Sequence, residues 1–414
     1  MSLVLTLLFY EPNHSGHHYP YLARMLPGFI HPTVRIVLAT TPQGAASPHF
    51  KRFLAPLADH FTLVTDCSGR GATPFRIASN RVAEIRRLQA QHRADHVVIA
   101  YGDGIWQIHA LRSLLPLPRR RPGFQTECIL YRGEFSYPGN HSRSARVKRF
   151  LFRRLLAKGL YRRILIDDEL LYTFADAAAP DHPTPIELAI NPVELFDIDR
   201  AEARARLGLN PEGRVISLSG VIDKRKGADI LAGAFAQAIR NGLDDATLLL
   251  AGPHYDDIKG ALAAPEVRTL LDTGRILSID RLLDEQDMYC AAAASDLVAA
   301  PYPNHSGRSS IILWAAAAGT PVLATHRGCI GHVVETENLG LTCDVSDPEE
   351  LAAAIEAGLN QPWTTSDRER ALRYGKQHTV DNYRELNARL VMRRISSEPS
   401  DRDAARVPPR RPTI

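Results

Sequence analysis

Cysteine is scarce and scattered in this chain: five residues, at 67, 128, 290, 329 and 343, with no Cys-x-x-Cys pair. That spacing offers no disulfide framework and no thiolate metal site, and it predicts a reducing, cytoplasmic setting without a metal. Long apolar runs are missing too. No stretch reaches the roughly 20 apolar residues that a membrane-spanning helix needs. The opening MSLVLTLLFYEPNHSG has neither a basic leader nor a small-residue cleavage site, so it is expected to be a first strand and not a signal peptide. An excess of one charge is also lacking. Lys+Arg 50 against Asp+Glu 46 leaves a formal +4, too mild to argue for nucleic acid as a partner. No Walker loop and no dinucleotide fingerprint is present.

What is there is ordinary globular material in quantity. The 414 residues are 45% hydrophobic and 23% charged, enough for two α/β domains of roughly 180 residues each. Short apolar runs alternate with helical periodicity throughout. Leu3–Phe9, Val34–Thr40, Phe61–Thr65, Val97–Ala100, Thr126–Tyr131 and Ile164–Ile166 are expected strands of a first sheet. Between them, 76–91 is an amphipathic helix with Ile77, Val82, Ile85 and Leu88 inward. The turn-rich stretch at 188–200 marks a domain boundary. The alternation then resumes with strands at Val215–Ser219, Thr247–Ala251, Ile276–Ile279, Leu297–Ala300 and Val322–Ala324. The expected fold is two Rossmann-like parallel sheets facing a cleft. The divisions are 1–190, 191–375, a closing helix at 376–395 packing back on the first domain, and a charged, proline-rich tail at 396–414 expected to be disordered. Asp347 and Glu350 predict a capping box on a helix in the second domain.

The stretch LVAAPYPNHSGRSSIILWAAAAGTPVLA, 297–324, holds the clearest chemistry. A buried strand leads into a polar loop, then a helix that stops at Gly319. The open N–H groups of that helix start point at whatever occupies the crevice, and phosphate is the expected guest. His305, Ser306, Gly307, Arg308, Ser309 and Ser310 are its candidate residues. Lys224, Arg225 and Lys226 in SGVIDKRKG supply cations for a diphosphate, or form a solvated charge run. Gly252, in AGPHYDD, gives a loop room beside a flat ligand, and Arg327 and Gly328 end another strand. In the first half, Gly16 lies between the first strand and its helix, where a ligand or a second domain can approach closely. Asp103, Arg132 and Glu134 follow strands whose carboxyl ends collect functional groups; as surface pairs or helix caps they would be equally at home. His17, His18 and Asp103 are candidates to position an acceptor. The segment 142–163 is rich in Arg and Lys, has no acid, and carries Val147, Phe150, Leu151, Leu155 and Leu156 at helical spacing. It either lies on an anionic membrane face or packs on a core with a basic outer side.

The second half resembles the retaining glycosyltransferases of family 4, with the GT-B fold. NPVELF (191–196), GVIDKRKG (220–227), GTPVLATHRG (319–328) and LGLTCDVSDPEELAAAI (339–355) are similar, in order, to that family's motifs. The resemblance implies a nucleotide diphosphate sugar as donor, no tightly bound cofactor, no metal, and retention of anomeric configuration. The acceptor is a carbohydrate, a lipid-linked molecule or a small molecule. It places Lys226 on the diphosphate. It also implies departures: the family's preceding arginine falls on Val221, and the two glutamates of its Glu-x7-Glu motif fall on Ser306 and Trp314. A later glutamate falls on His332. Other residues, such as Ser309, Ser310, Glu335 or Glu337, would then meet the ribose or sugar. The alternatives are a catalytically silent glycosyltransferase-like protein, or a sugar epimerase or phosphorylase on the same fold.

Overall fold

The computed structural model describes residues 4–68, 70–114, 125–178, 182–305 and 307–396. Ser306 and the tail beyond 396 lie outside the described residues. Apolar strands alternate with covering helices, and the chain builds two parallel sheets from them. The first has seven strands, in the order β3-β2-β1-β4-β5-β6-β7. They are β1 Leu5–Tyr10, β2 Val34–Ala39, β3 Thr62–Val64, β4 His96–Ile99, β5 Gln125–Leu130, β6 Arg163–Ile166 and β7 Ile186–Leu188. The second has six, in the order β10-β9-β8-β11-β12-β13. They are β8 Arg214–Ser219, β9 Ala246–Ala251, β10 Ile276–Ile279, β11 Leu297–Ala300, β12 Val322–Thr325 and β13 Gly340–Cys343. Every residue of β1 and of β11 is buried, as strands covered on both faces require.

The order reverses between β1 and β4 in one sheet, and between β8 and β11 in the other. A crevice opens at the carboxyl ends of the strands wherever such a reversal occurs. The carboxyl edges of the two sheets meet where Arg308, from the second, reaches Asp167, directly after β6 of the first.

Six helices carry the argument. α1 (His18–Met25) follows β1, and α2 (Pro74–His92) buries Ala78, Val82, Ile85 and Leu88; Ile77 is half-buried, one step off that face. α3 (Arg143–Ala157) covers the first sheet with Leu151, Phe152, Leu155 and Leu156. Its apolar stripe is therefore rotated from the expected one, because Val147 and Phe150 stand in solvent at 57% and 58% exposure. The helix also ends sooner: Arg163 belongs to β6 and is fully buried. α4 (Ser310–Ala318) is buried along Ile311–Ala318 and stops at Gly319, whose φ of 70° is left-handed. Its alanines let a neighbouring helix come close; a Cβ on Gly375 would sit 2.7 Å from Ala317 Cα. α5 (Pro348–Asn360) is capped by Asp347, which accepts the Glu349 and Glu350 N–H groups. The expected capping box does not close there, because Glu350 reaches back to the Asp344 N–H at 2.8 Å.

α6 (Val380–Ser396) returns to the first sheet, where Tyr383, Ala388 and Val391 join Leu22, Met25 and Leu26 in one core cluster. Arg163 fastens it there, donating to the carbonyls of Leu386 (2.7 Å) and Asn387 (3.0 Å). Glu127 compensates that buried guanidinium with a 2.9 Å hydrogen bond to its Nε.

Candidate functional site

The second-domain wall begins where β8 stops. Gly220 turns with φ 87°, and Asp223 caps a short 3-10 turn, Lys224–Lys226, by accepting the Lys226 N–H at 2.9 Å. That cap aims the Lys226 side chain back over the strand end. Its ammonium donates to the Ser219 carbonyl at 2.9 Å and lies 5.9 Å from the centre of the Tyr302 ring. Tyr302, two residues past β11, shares a 3.0 Å hydrogen bond with Ser309 and packs against the His305 ring at 5.7 Å. Burial pushes the His305 imidazole below its ordinary value. Ser309 is the N-cap residue of α4, yet its hydroxyl is turned to Tyr302 and no side chain caps the helix. The first turn of α4 thus has no side-chain cap, and helix starts of that kind suit anions. Ser310 opens the helix, and Gly307 is buried in the loop before it. Gly252, with φ 135°, serves packing: a Cβ there would lie 1.8 Å from the Gly220 carbonyl oxygen, so glycine lets the β8 and β9 loops cross.

The arginines divide differently from the sequence expectation. Arg225 is exposed and pairs with Asp223 at 3.4 Å. Arg308 is buried and crosses to the first domain. It meets Asp167 at 3.2 Å, Glu169, and the Ala189 carbonyl at 2.9 Å. Cys329, from β12's side, donates to Glu169 at 2.7 Å. Neither arginine is a loose cation over α4. Arg327 pairs with Asp344 at 3.2 Å.

The first-domain wall is aromatic and acidic. Glu11, buried directly after β1, accepts the Asn13 N–H at 2.9 Å and meets His18 at 3.1 Å. His17 and His18 stack at 4.9 Å. His17 also touches Tyr21 (4.9 Å) and Tyr131 (5.3 Å), while His18 touches Tyr101 (4.8 Å), which in turn stacks on Tyr131 at 5.4 Å. His17 keeps an open edge, yet the surrounding protein pushes its imidazole down to about 4. Gly16, with φ 63°, makes the turn ahead of the pair and is itself exposed. Asp103 follows β4 and accepts the N–H groups of Tyr131 (3.2 Å) and Arg132 (3.3 Å). Burial pushes its carboxyl up to about 7, against the pull of those N–H groups and of the Arg132 guanidinium. Asp167 is likewise pushed up to about 7 by burial, with Arg308 opposing.

Lys226, His305, Gly307, Ser309 and Ser310 therefore gather at the end of the second sheet, and His17, His18 and Asp103 at the end of the first. The fold leaves Gly16, Arg225 and Gly252 in supporting or peripheral places. Trp314 is 6% exposed and belongs to the core. Glu335 accepts the Thr342 hydroxyl at 2.7 Å. Tyr302, Glu11, Asp167 and Glu169 were missed. Each stands one to three residues beyond a strand's carboxyl end, the same positional signal that singled out Asp103. Among the described residues, no group of His, Cys, Asp and Glu could hold a metal, and no helix is long and apolar enough to cross a membrane. A separate cavity of about 170 Å³, lined by Leu297, Asn338, Trp363 and Arg370, lies at the amino ends of the second sheet, away from this chemistry.

Two parallel-sheet domains whose strand ends face across a cleft, with a bare helix start on one wall, define the GT-B architecture. Residues 213–361 match the family described as glycosyl transferases group 1. D-inositol 3-phosphate glycosyltransferase of Rhodococcus jostii is 31% identical over 172 residues, covering 40% of this chain and 36% of that protein. The enzyme of the same name from Saccharomonospora viridis is 30% identical over 219 residues, covering 49% of each. The chain thus matches less than half the length of these relatives. Among solved structures, Anabaena HepE in complex with UDP and glucose aligns with a TM-score of 0.63 at 18% identity, covering 94% of this chain and 100% of that one. Sucrose-phosphate synthase from Thermosynechococcus elongatus aligns with a TM-score of 0.66 at 16% identity, covering 95% and 99%. At such identities the likeness shows the fold.

Proposed function

We propose that the protein is a glycosyltransferase that takes a sugar from a nucleoside diphosphate donor and passes it to an acceptor hydroxyl with retained anomeric configuration. One observation carries this: Lys226 and the uncapped start of α4 converge beside Tyr302, within the segment that matches the glycosyl transferases group 1 family. Residues 191–375 act as the donor-binding part and 1–190 as the acceptor-binding part. In the reaction the bond from the anomeric carbon to the diphosphate oxygen breaks, and a bond to the acceptor oxygen forms on the same face. The departing phosphate oxygen takes the acceptor's proton. Lys226 and the α4 N–H groups stabilise the charge that grows on that oxygen. His305 flanks the transferred sugar, and Asp103 with His17 and His18 orients the acceptor. The silent alternative is less favoured because Lys226 is retained next to the uncapped start of α4.

The test is donor binding. One of the uridine, guanosine or adenosine diphosphate sugars raises the thermal midpoint by several degrees at saturating concentration. Lys226→Ala weakens that ligand by about tenfold or more. No shift with any donor, or an unchanged affinity in the variant, would overturn the proposal.

We further propose that α3 rests on an anionic membrane face. Its exposed Val147 and Phe150 lie among exposed Arg143, Arg146 and Arg153. Co-sedimentation with anionic against neutral vesicles is the measurement.

A further inference from the structure

We infer that Arg132, on the first domain, supplies the second cation for the donor's diphosphate, so that the diphosphate is gripped from both sides of the cleft. This rests on the cleft being a nucleoside diphosphate sugar site, and it adds a residue from the opposite wall. The need is electrostatic. A sugar-linked diphosphate carries about two negative charges, and the free nucleoside diphosphate about three once the sugar has left. Lys226 provides one positive charge and the α4 start about half of one. The balance is unmet in the donor and worsens as the sugar departs, which is where added charge does most for the rate.

The nearby guanidiniums are mostly committed. Arg308 is buried against Asp167 and Glu169. Arg225 pairs with Asp223, Arg327 with Asp344, and Arg24 with Glu285 across the domains. Arg132 differs. It is exposed, and among the described residues its side chain makes no ion pair or hydrogen bond within the ordinary distances. Its backbone is nevertheless held in place, because the Tyr131 and Arg132 N–H groups both bind the Asp103 carboxylate, at 3.2 and 3.3 Å. The loop is also anchored further on, where Asn140 donates to the Glu134 carbonyl at 2.7 Å. A fixed backbone with an unoccupied guanidinium is the arrangement of a ligand-binding group. Its place in the fold is the carboxyl edge of the first sheet: Arg132 follows β5, the neighbour of β6, and Asp167 directly after β6 meets Arg308, one residue before the N-cap of α4. Glu134 and Asp103 temper the positive field, which keeps Arg132 from drawing in anions without a partner on the other wall. The planar fork can span two phosphate oxygens, which an ammonium cannot do.

The experiment measures binding of uridine, guanosine and adenosine diphosphate to the full chain by calorimetry at fixed ionic strength, followed by the tightest one and its monophosphate with Arg132→Ala, Arg132→Gln and Arg132→Lys. Expected is a loss of about tenfold for the diphosphate in the Ala and Gln variants, under about twofold for the monophosphate, and an intermediate loss for Lys. The unliganded thermal midpoint stays within about 1 °C, as for an exposed side chain. If the wild type binds none of the three, the donor-site reading itself fails and the inference falls with it. If the wild type binds and the Ala and Gln variants bind the diphosphate equally well, the inference alone is overturned. An unchanged diphosphate affinity with a raised KM for acceptor would assign Arg132 to the acceptor and also overturn it.

Discussion

Asp103 shows what a single position in the cleft must tolerate. Its carboxyl is pushed up to about 7 by burial, while an unfolded aspartate titrates near 3.9. Between those values the folded protein holds a proton that the unfolded chain has released. By linkage, stability falls as pH rises through that window. Asp103→Asn removes the penalty, since the amide stays neutral. The thermal midpoint of the variant is expected to exceed that of the wild type by about 2 °C at pH 8, with the gap closing towards pH 4.5. A gap of the same size at every pH would show that something other than ionisation sets it. Asp103 could be picked from the sequence because it follows a strand at the edge where ligands collect. Its environment could not, because the N–H groups that hold it come from the next strand's loop. The same holds for His17: the sequence pairs it with His18, while its contact with Tyr131 is made only by folding.

At the scale of elements, strands and helices were legible wherever an apolar run had one way to be covered. β11, α4 and Gly319 follow the sequence closely because each residue from Ile311 to Ala318 had to be buried. α3 was harder. Its apolar residues wrap more than one face, and periodicity alone does not say which face meets the sheet. Leu151, Phe152, Leu155 and Leu156 take the core, leaving Val147 and Phe150 outside. Arg149 and Arg154, also on α3, are spent on carbonyls of the protein itself, at 2.8 Å to Phe135 and 2.8 Å to Ser113. The charges available to a lipid surface are therefore fewer than a count of the segment suggests. Under the membrane proposal, exposed Arg143 and Arg146 at about 1 kcal/mol each, Arg153 beside the Phe174 ring and two apolar side chains are expected to give reversible binding. Val147→Ser with Phe150→Ser is expected to reduce binding to anionic vesicles by about tenfold or more, while nucleotide affinity is unchanged. Wild-type binding that ignores both lipid charge and salt would sink the membrane proposal.

Across the whole molecule, the two domains are joined by more than their linker. Arg308 reaches from the loop before α4 to Asp167 and Glu169 at the end of β6, and it binds the Ala189 carbonyl in the connection itself. Tyr21 adds a hydrogen bond to Asn191, and Arg24 one to Pro192 at 3.0 Å. The loop before α4 is thereby tied to the opposite domain, so its position depends on how the two domains sit together. None of this was legible in advance: Arg308 looked like a phosphate ligand because it stands beside a helix start, and only the long-range fold brings two carboxylates to it.

Removing that guanidinium costs stability, and the cost depends on pH. Arg308→Met strands the buried Asp167 and the half-buried Glu169, which typically costs about 3–5 kcal/mol. Asp167 can relieve the cost by taking up a proton, since burial already pushes it up to about 7 with Arg308 in place. Without Arg308 its proton is held still more tightly. The native variant then binds more protons than the wild type, so its deficit in stability grows as pH rises. Thermal midpoints should differ more at pH 8 than at pH 5.5. Adding Asp167→Asn and Glu169→Gln to Arg308→Met should recover much of the loss at pH 8, because neutral amides need no counter-charge. A triple variant no more stable than the single one at pH 8 would mean that the contact holds the domains by packing, and that its charges are incidental.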